Sequence, residues 1–171
     1  MKKAIFLLSI WLILSSCGVQ RVKSGFINLN NDIEFEILDF TNYKTRPGEN
    51  RPGNKHVTHI APDGFVYKAV RMRFKNTNSS KIEFDLNKLF LLDQHNRKHK
   101  VVYAAKGMKT YAGNRVFKTH QKLNGGKKGL FLVIFDPPFS NEEKISKIAI
   151  DTNDDVTLSE NARVVNFNSI N

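Results

Sequence analysis

Cysteine is almost missing from this chain, because only one of its 171 residues, Cys17, is a cysteine. A single thiol cannot close an intramolecular disulfide, so the fold has to be stabilised by a hydrophobic core. The sequence also lacks Gly-x-Ser-x-Gly and His-Glu-x-x-His, and its one glycine-lysine turn does not have the spacing of a phosphate loop. No motif therefore supports hydrolase, zinc-protease or nucleotide-binding chemistry.

Long hydrophobic runs are missing as well. The longest apolar segment covers residues 4–14, whereas a membrane-spanning helix needs about 20 apolar residues. Lys2 and Lys3 precede this segment, and Leu14-Ser15-Ser16-Cys17 ends it. A positive start, a short apolar stretch and small residues before a cleavage point are typical of a secretory signal peptide, so we predict removal of residues 1–16. The alternatives are an uncleaved anchor and cleavage without lipid on Cys17.

The residues Leu14-Ser15-Ser16-Cys17 are similar to the lipobox of bacterial lipoproteins, with serine where glycine or alanine is commoner before the cysteine. The resemblance implies that Cys17 becomes the first residue and carries a thioether-linked diacylglycerol, usually with an amide-linked acyl chain. Two or three chains anchor a protein more firmly than one, which binds reversibly. We expect a lipid-anchored envelope protein. In a Gram-negative cell it would face the periplasm from the outer membrane, because Gly18 is not the aspartate of inner-membrane retention.

The chain after the signal divides into two parts. Residues 17–31 are polar and have no sustained period, which indicates a flexible tether, and residues 32–171 suffice for one domain with a single core. Without Lys2 and Lys3 the chain keeps 25 Lys and Arg against 16 Asp and Glu, a net charge of +9. The predicted location outside the cytoplasm argues against nucleic acid as a partner.

No segment shows a helical period of helix length. The two-residue alternation of half-buried strands is present instead, first in residues 33–43 and most clearly in residues 65–76. Further strands are predicted around residues 82–86, 89–92, 100–105, 130–135 and 145–151, with one or two short closing pieces in residues 156–158 and 164–167. Seven or eight short strands separated by turns predict an all-β fold, an immunoglobulin-like antiparallel β-sandwich without its disulfide.

Two segments leave alternatives open. Residues 107–122 fit either a strand pair or a short helix with a loop. Residues 44–64 contain three prolines and repeat Arg-Pro-Gly at Arg46 and Arg51. A loop of this length inside a compact domain is usually either functional or disordered.

Three blocks occur in order along the chain: YKAVRMRFKN at residues 67–76, LFLLDQHNRK at 89–98 and GGKKGLFLVIFDPP at 125–138. Together they resemble segments of small secreted and lipid-anchored bacterial proteins that have an immunoglobulin-like domain of unknown function. The resemblance covers residues 33–151, and its motifs are structural. It implies an accessory binding module and supplies no catalytic residues.

Acidic residues are absent from residues 94–135, although this stretch contains ten Lys and Arg. The simplest interpretation is a solvent face that happens to be basic. The functional interpretation is a face for an anionic partner, namely lipid headgroups, an acidic glycan or an acidic protein surface, since such charge attracts and steers anions. The candidate residues of this face are Arg97, Lys98, Lys100, Lys106, Lys109, Arg115, Lys118 and Lys122.

Candidates for catalysis or metal binding are weak. His56 and His59 form one spaced pair, His95 and His99 a second, and His120 stands alone, whereas zinc sites need three or four converging ligands. We predict no catalytic residue, metal or cofactor. The leading hypothesis is a non-enzymatic, lipid-anchored binding or adaptor protein that recognises a protein or an anionic envelope component through loops and the basic face. The alternative is a structural subunit of an envelope machine.

Overall fold

The computed structural model describes residues 19–48, 57–107 and 119–170. Local alternation of apolar and polar residues produces strands throughout these ranges, together with one short 3-10 helix at Leu86–Lys88. The strands are β1 Gln20–Val22, β2 Ile27–Asn28, β3 Ile33–Tyr43, β4 Thr45–Pro47, β5 Thr58–Ile60, β6 Phe65–Asn76, β7 Ile82–Asp85, β8 Leu89–Leu92, β9 Lys98–Lys106, β10 His120–Leu123, β11 Lys128–Asp136, β12 Phe139–Ser140, β13 Lys147–Ile150, β14 Arg163–Asn166 and β15 Ser169–Ile170.

The predicted all-β antiparallel sandwich without a disulfide is confirmed. The large sheet has the order β14-β13-β8-β9-β11-β6-β3-β1-β15, with β2 paired to β3 and β12 to β6, and it curls so that its inner face encloses the core. Two small sheets, β7–β10 and β4–β5, complete the fold. Nine strands have four residues or more, slightly above the predicted number. Within the described ranges, no helix is long and apolar enough to cross a membrane.

The core forms where the alternating strands turn their apolar residues inward. Phe35 of β3, Phe74 of β6 and Phe131 of β11 are fully buried, and Phe84 of β7 closes over them from the small sheet. The ring centroids of Phe84 lie 5.0 Å from Phe74 and 6.0 Å from Phe131. Burying a phenylalanine side chain contributes about 1.5–3 kcal/mol, so this aromatic cluster joins the two sheets.

The outward positions of the same strands carry charge pairs. Lys75 Nζ lies 2.9 Å from Glu34 Oε2, and Arg71 Nε donates to both carboxylate oxygens of Asp39 at 2.8 and 2.9 Å. Arg73 pairs with Glu36 between them. The acidic side chains of β3 thus neutralise the basic side chains that lie opposite them on β6. Arg71, Arg73 and Lys75 therefore leave little uncompensated positive charge on this face.

Part of the predicted flexible tether forms strands of the large sheet. Residues 20–28 contain β1 and β2, which both pair with β3, and Val22 and Leu29 are buried at 6% and 8% exposure. Gln20–Val22 and Ile27–Asn28 therefore belong to the sheet, although they were predicted as part of the tether. A three-residue strand holds too few alternations to stand out, and its contribution depends on pairing with a distant strand.

The two ambiguous segments resolve in part. Residues 120–122 of the segment 107–122 belong to β10, which pairs with β7, while 108–118 lie outside the described residues. The loop at 44–64 contains the β4–β5 hairpin, and residues 49–56 lie outside the described ranges. Strand β11 ends at Asp136, as predicted from the two prolines that follow it.

Candidate functional site

Four of the predicted face residues are exposed in the structure, with different surroundings. Arg97 Nε donates to Asp93 Oδ2 at 2.5 Å, and Lys122 Nζ lies 3.0 Å from Glu83 Oε2. Lys100 and Lys106 are exposed on β9, and neither has an ion-pair partner in the ranges that the structure describes. Lys109, Arg115 and Lys118 lie outside the described residues.

Lys98 does not belong to the exposed basic face that the sequence predicted. Its side chain is 2% exposed, and its Nζ donates to Asp151 Oδ2 at 2.9 Å and to the carbonyl oxygen of Asn153 at 2.6 Å. The ammonium also lies 4.6 Å from the ring centre of Phe90. A buried, partnered ammonium cannot reach an external anion. The sequence prediction was wrong here because Asp151 lies 53 residues further along the chain, outside the acid-free stretch.

Asp151 is the acceptor at the centre of this buried polar cluster. Besides Lys98, its carboxylate accepts bonds from the Ser159 hydroxyl at 2.6 Å, the Ser159 N–H at 3.0 Å and the Asn153 N–H at 3.1 Å. Burial raises the pKa of Asp151, but the bonds from Ser159, Lys98 and Asn153 outweigh burial and hold the pKa far below its ordinary value. The cluster fastens residues 151–159 to the sheet.

A cleft of about 630 Å³ opens beside the exposed part of β9. The β4–β5 hairpin supplies Arg46 and His59, which face one another across that hairpin's register. Strand β9 supplies Lys100, and Asp136 is its register partner at the end of β11. Among the described residues, the lining consists of Arg46, Val57, His59, Asn87, Lys100, Val101, Val102, Thr119, Asp136 and Asp154.

The side-chain hydrogen bonds that Arg46 makes in this cleft are long. Its Nη1 donates to the Pro47 carbonyl oxygen at 3.3 Å and its Nη2 to Asp136 Oδ2 at 3.4 Å, both longer than the roughly 2.7–2.9 Å of a strong charged bond. Its Nε is buried and has no partner in the described part of the chain. The guanidinium carbon lies over the Tyr67 ring, 5.4 Å from its centre. A planar acceptor could therefore improve on the bonds that Arg46 now makes.

The charges of the cleft are mixed. Arg46 and Lys100 provide cationic donors, whereas Asp136 and Asp154 provide acceptors. This arrangement suits a ligand that carries one anionic group together with hydroxyl or amide donors. The sequence analysis missed Arg46 as a site residue. The repeated Arg-Pro-Gly was the available signal, but Asp136 lies 90 residues away, so their meeting is a consequence of the fold.

His99 lies buried next to Lys100 and has structural contacts. Its Nδ1 donates to the Pro137 carbonyl oxygen at 2.6 Å, and its ring stacks on Phe139 with centroids 3.6 Å apart. Its Nε2 is 3.8 Å from Asp93 Oδ2, beyond hydrogen-bond distance. Burial lowers the pKa of His99 and outweighs the opposite effects of Pro137 and Asp93. The imidazole is therefore neutral at pH 7.

The other histidines are dispersed. His59 lines the cleft, His95 is exposed in the β8–β9 turn, and His120 Nε2 lies 3.7 Å from Asp85 Oδ2 on the small sheet. His56 lies outside the described residues. In the parts of the chain that the structure describes, no group of three or more His, Cys, Asp and Glu side chains could hold a metal ion.

Comparisons with known proteins show likeness at the level of fold. No protein-family model matches the chain, and no curated protein matches it. One similar solved structure is an uncharacterised β-sandwich protein from Clostridium difficile 630, with 13% identity over 82% of this chain and 88% of that one and a TM-score of 0.46. Another is a conserved hypothetical protein from Bacillus anthracis, with 11% identity over 90% and 96% and a TM-score of 0.48.

A third similar structure is the secreted protein MPT63 from Mycobacterium tuberculosis. It shares 9% identity over 81% of this chain and 88% of its own, with a TM-score of 0.38. Likenesses of this size assign no binding site and no activity, so the candidate site rests on its own geometry.

Proposed function

We propose that the chain is a lipid-anchored, non-enzymatic binding protein of the cell envelope, whose cleft receives an anionic group of an envelope component. The proposed location in the cell envelope rests on the signal-like residues 1–16 and on Cys17, the sole thiol. The binding role rests on one observation, the Arg46 guanidinium, which lies over the Tyr67 ring and makes only two long hydrogen bonds through its Nη atoms.

The chemistry of the cleft favours a carboxylate-bearing glycan. A carboxylate can accept two parallel bonds from a guanidinium, which adds geometric specificity to charge attraction. Lys100 provides a second cation, and the acceptors Asp136 and Asp154, with the polar side chains of Asn87 and Thr119, provide partners for sugar hydroxyls. A volume of about 630 Å³ is typical of a small-ligand site.

Binding can be tested with soluble protein that begins at Gly18, so that β1 is retained. The probes are isolated cell-wall sacculi, lipopolysaccharide and vesicles that contain phosphatidylglycerol. We expect wild-type protein to sediment with sacculi, and Arg46→Gln and Lys100→Gln each to weaken this binding about tenfold, since each removes one charged contact worth about 1.4 kcal/mol.

The matched control is Arg163→Gln, which removes the same charge from an exposed residue of the edge strand β14. Equal binding by all four proteins, or no binding to any probe, would contradict the proposed cleft. Lipidation is tested separately by mass spectrometry of the full chain expressed in a bacterium. The acylated mass is expected for wild type and absent from Cys17→Ser.

A further inference from the structure

The strand register defines which end of the sandwich faces the lipid. Strand β1 runs antiparallel to β3, with Gln20 opposite Phe40 and Arg21 opposite Asp39. Strand β1 therefore begins at the end of the sheet where β3 finishes at Tyr43. Tyr43 pairs with Tyr67 near the start of β6, so Phe65 also lies at this end. We call it the anchor end, comprising Val19, Tyr43, residues 60–64 and Phe65.

The chain allows little distance between this end and Cys17. Cys17 precedes Gln20 by three residues, and three extended residues span at most about 11 Å. A tether of 15 residues would have allowed almost any orientation of the domain. The ordered β1 strand removes that freedom, because an acyl chain on Cys17 holds the anchor end near the bilayer surface.

The anchor end presents apolar side chains to solvent. Ile60 is 70% exposed, Val19 47% and Phe65 42%, and Ile60 and Phe65 flank the same four-residue loop. The nearest charges of that loop compensate one another, since Lys44 Nζ lies 3.5 Å from Asp63 Oδ1. Exposed apolar groups beside a lipid anchor gain free energy by entering the interfacial region of a bilayer.

Two lysines mark the other end of the sheet, where Lys75 is paired with Glu34. Lys75 is ten residues beyond Phe65 on β6, and Lys128 is its register partner on β11. At about 3.4 Å per residue these lysines lie roughly 34 Å from the anchor end. The Debye length at physiological salt is about 8 Å, so their charge exerts almost no attraction on a bilayer beneath the anchor end.

We propose that the anchor end rests on the membrane, with Ile60 and Phe65 at the lipid interface, and that the end of β6 and β11 that carries Lys75 and Lys128 projects away from it. This inference rests on the lipid anchor of the proposed function.

The sequence provides a clean test, because its one tryptophan, Trp11, lies in the predicted signal peptide. The full chain is expressed with its own signal, purified with lipid and reconstituted into phosphatidylcholine vesicles with brominated acyl chains. Phe65→Trp places a single fluorophore at the anchor end, and Ile60→Trp provides an independent second position. The matched control is Phe26→Trp, because Phe26 is 39% exposed and lies at the far end, with the Nζ atoms of Lys75 and Lys128 at 5.6 and 5.2 Å from its ring centre.

We expect bromine to quench the fluorophores at positions 60 and 65 by at least half and to leave the one at position 26 unquenched. Quenching at 26 alone, at all three positions, or at none in protein that carries lipid and floats with vesicles would overturn the orientation while leaving the anchor intact. Absence of lipid, or failure to float, would overturn the anchor and the orientation together. Far-UV circular dichroism confirms that each variant is folded.

Discussion

Replacing Lys98 by methionine is expected to destabilise the domain severely, although the sequence places this lysine in a run of surface-like cations. Methionine keeps the length and apolar stem of the side chain but removes the ammonium, which is 2% exposed and bonded to Asp151 and Asn153. The Ser159 and Asn153 bonds keep the pKa of Asp151 low, so the carboxylate stays charged and loses its counter-ion.

The magnitude follows from this geometry. Removing one partner of a buried ion pair typically costs about 3–5 kcal/mol, because the remaining charge is left uncompensated. The whole domain is stabilised by only about 5–15 kcal/mol. A loss of this size lowers the melting temperature by roughly 10 °C in a domain of this length. Lys100→Met, two residues further along on an exposed position, should change stability by less than about 0.5 kcal/mol.

The assay is urea unfolding followed by far-UV circular dichroism on wild type, Lys98→Met, Lys100→Met, Asp151→Asn and the double variant of the buried pair. Asparagine retains an oxygen that accepts the Ser159 bonds, so the double variant should lose at least about 1 kcal/mol less than the sum of the single losses. Equal, small losses for Lys98→Met and Lys100→Met would refute the assignment of Lys98 to a buried pair.

Three further perturbations are expected to affect stability. His99 has a folded pKa below its unfolded value of 6.5, so the unfolded chain binds more protons than the folded chain as pH falls below about 6.5. Stability should therefore decline between about pH 7 and pH 5, and His99→Phe should flatten that slope in urea titrations. Gly125→Ala would place a Cβ 1.8 Å from the Ser79 carbonyl oxygen and should cost about 1–3 kcal/mol by thermal melting, while unchanged melting would contradict the close approach. Protein that begins at Asn31 loses buried Val22 and Leu29 and should be about 3–6 kcal/mol less stable than protein that begins at Gly18; equal stability would show that β1 is dispensable.

Much of the fold could be predicted because its strongest signals are local. The alternation in residues 65–76 marks β6 at the same bounds, and Asp136-Pro137-Pro138 marks the end of β11. A two-residue period shows which side chains share a face of a strand. It does not show which strand lies alongside, so β1 was missed and assigned to a tether.

The candidate site was less predictable because its parts come from distant segments. Arg46 and Asp136 are 90 residues apart, and Lys98 and Asp151 are 53 apart. A count of charges along the chain treats Lys98 and Lys100 alike. Their opposite environments result from the packing of β9 against residues 151–159, which buries one ammonium and leaves the other at the cleft.

The sequence by itself determined the class of fold, the apolar faces of the main strands, the absence of any disulfide and the position of the one residue able to carry a lipid. These properties follow from composition and from periods of two residues. Only the tertiary structure decided which cations are free, that Arg46 enters the cleft, and that strand β1 begins at the end of the sheet opposite Lys75 and Lys128. The physical reason is that strand pairing depends on hydrogen bonds and burial between residues far apart in the chain, and local patterns do not encode those partners uniquely.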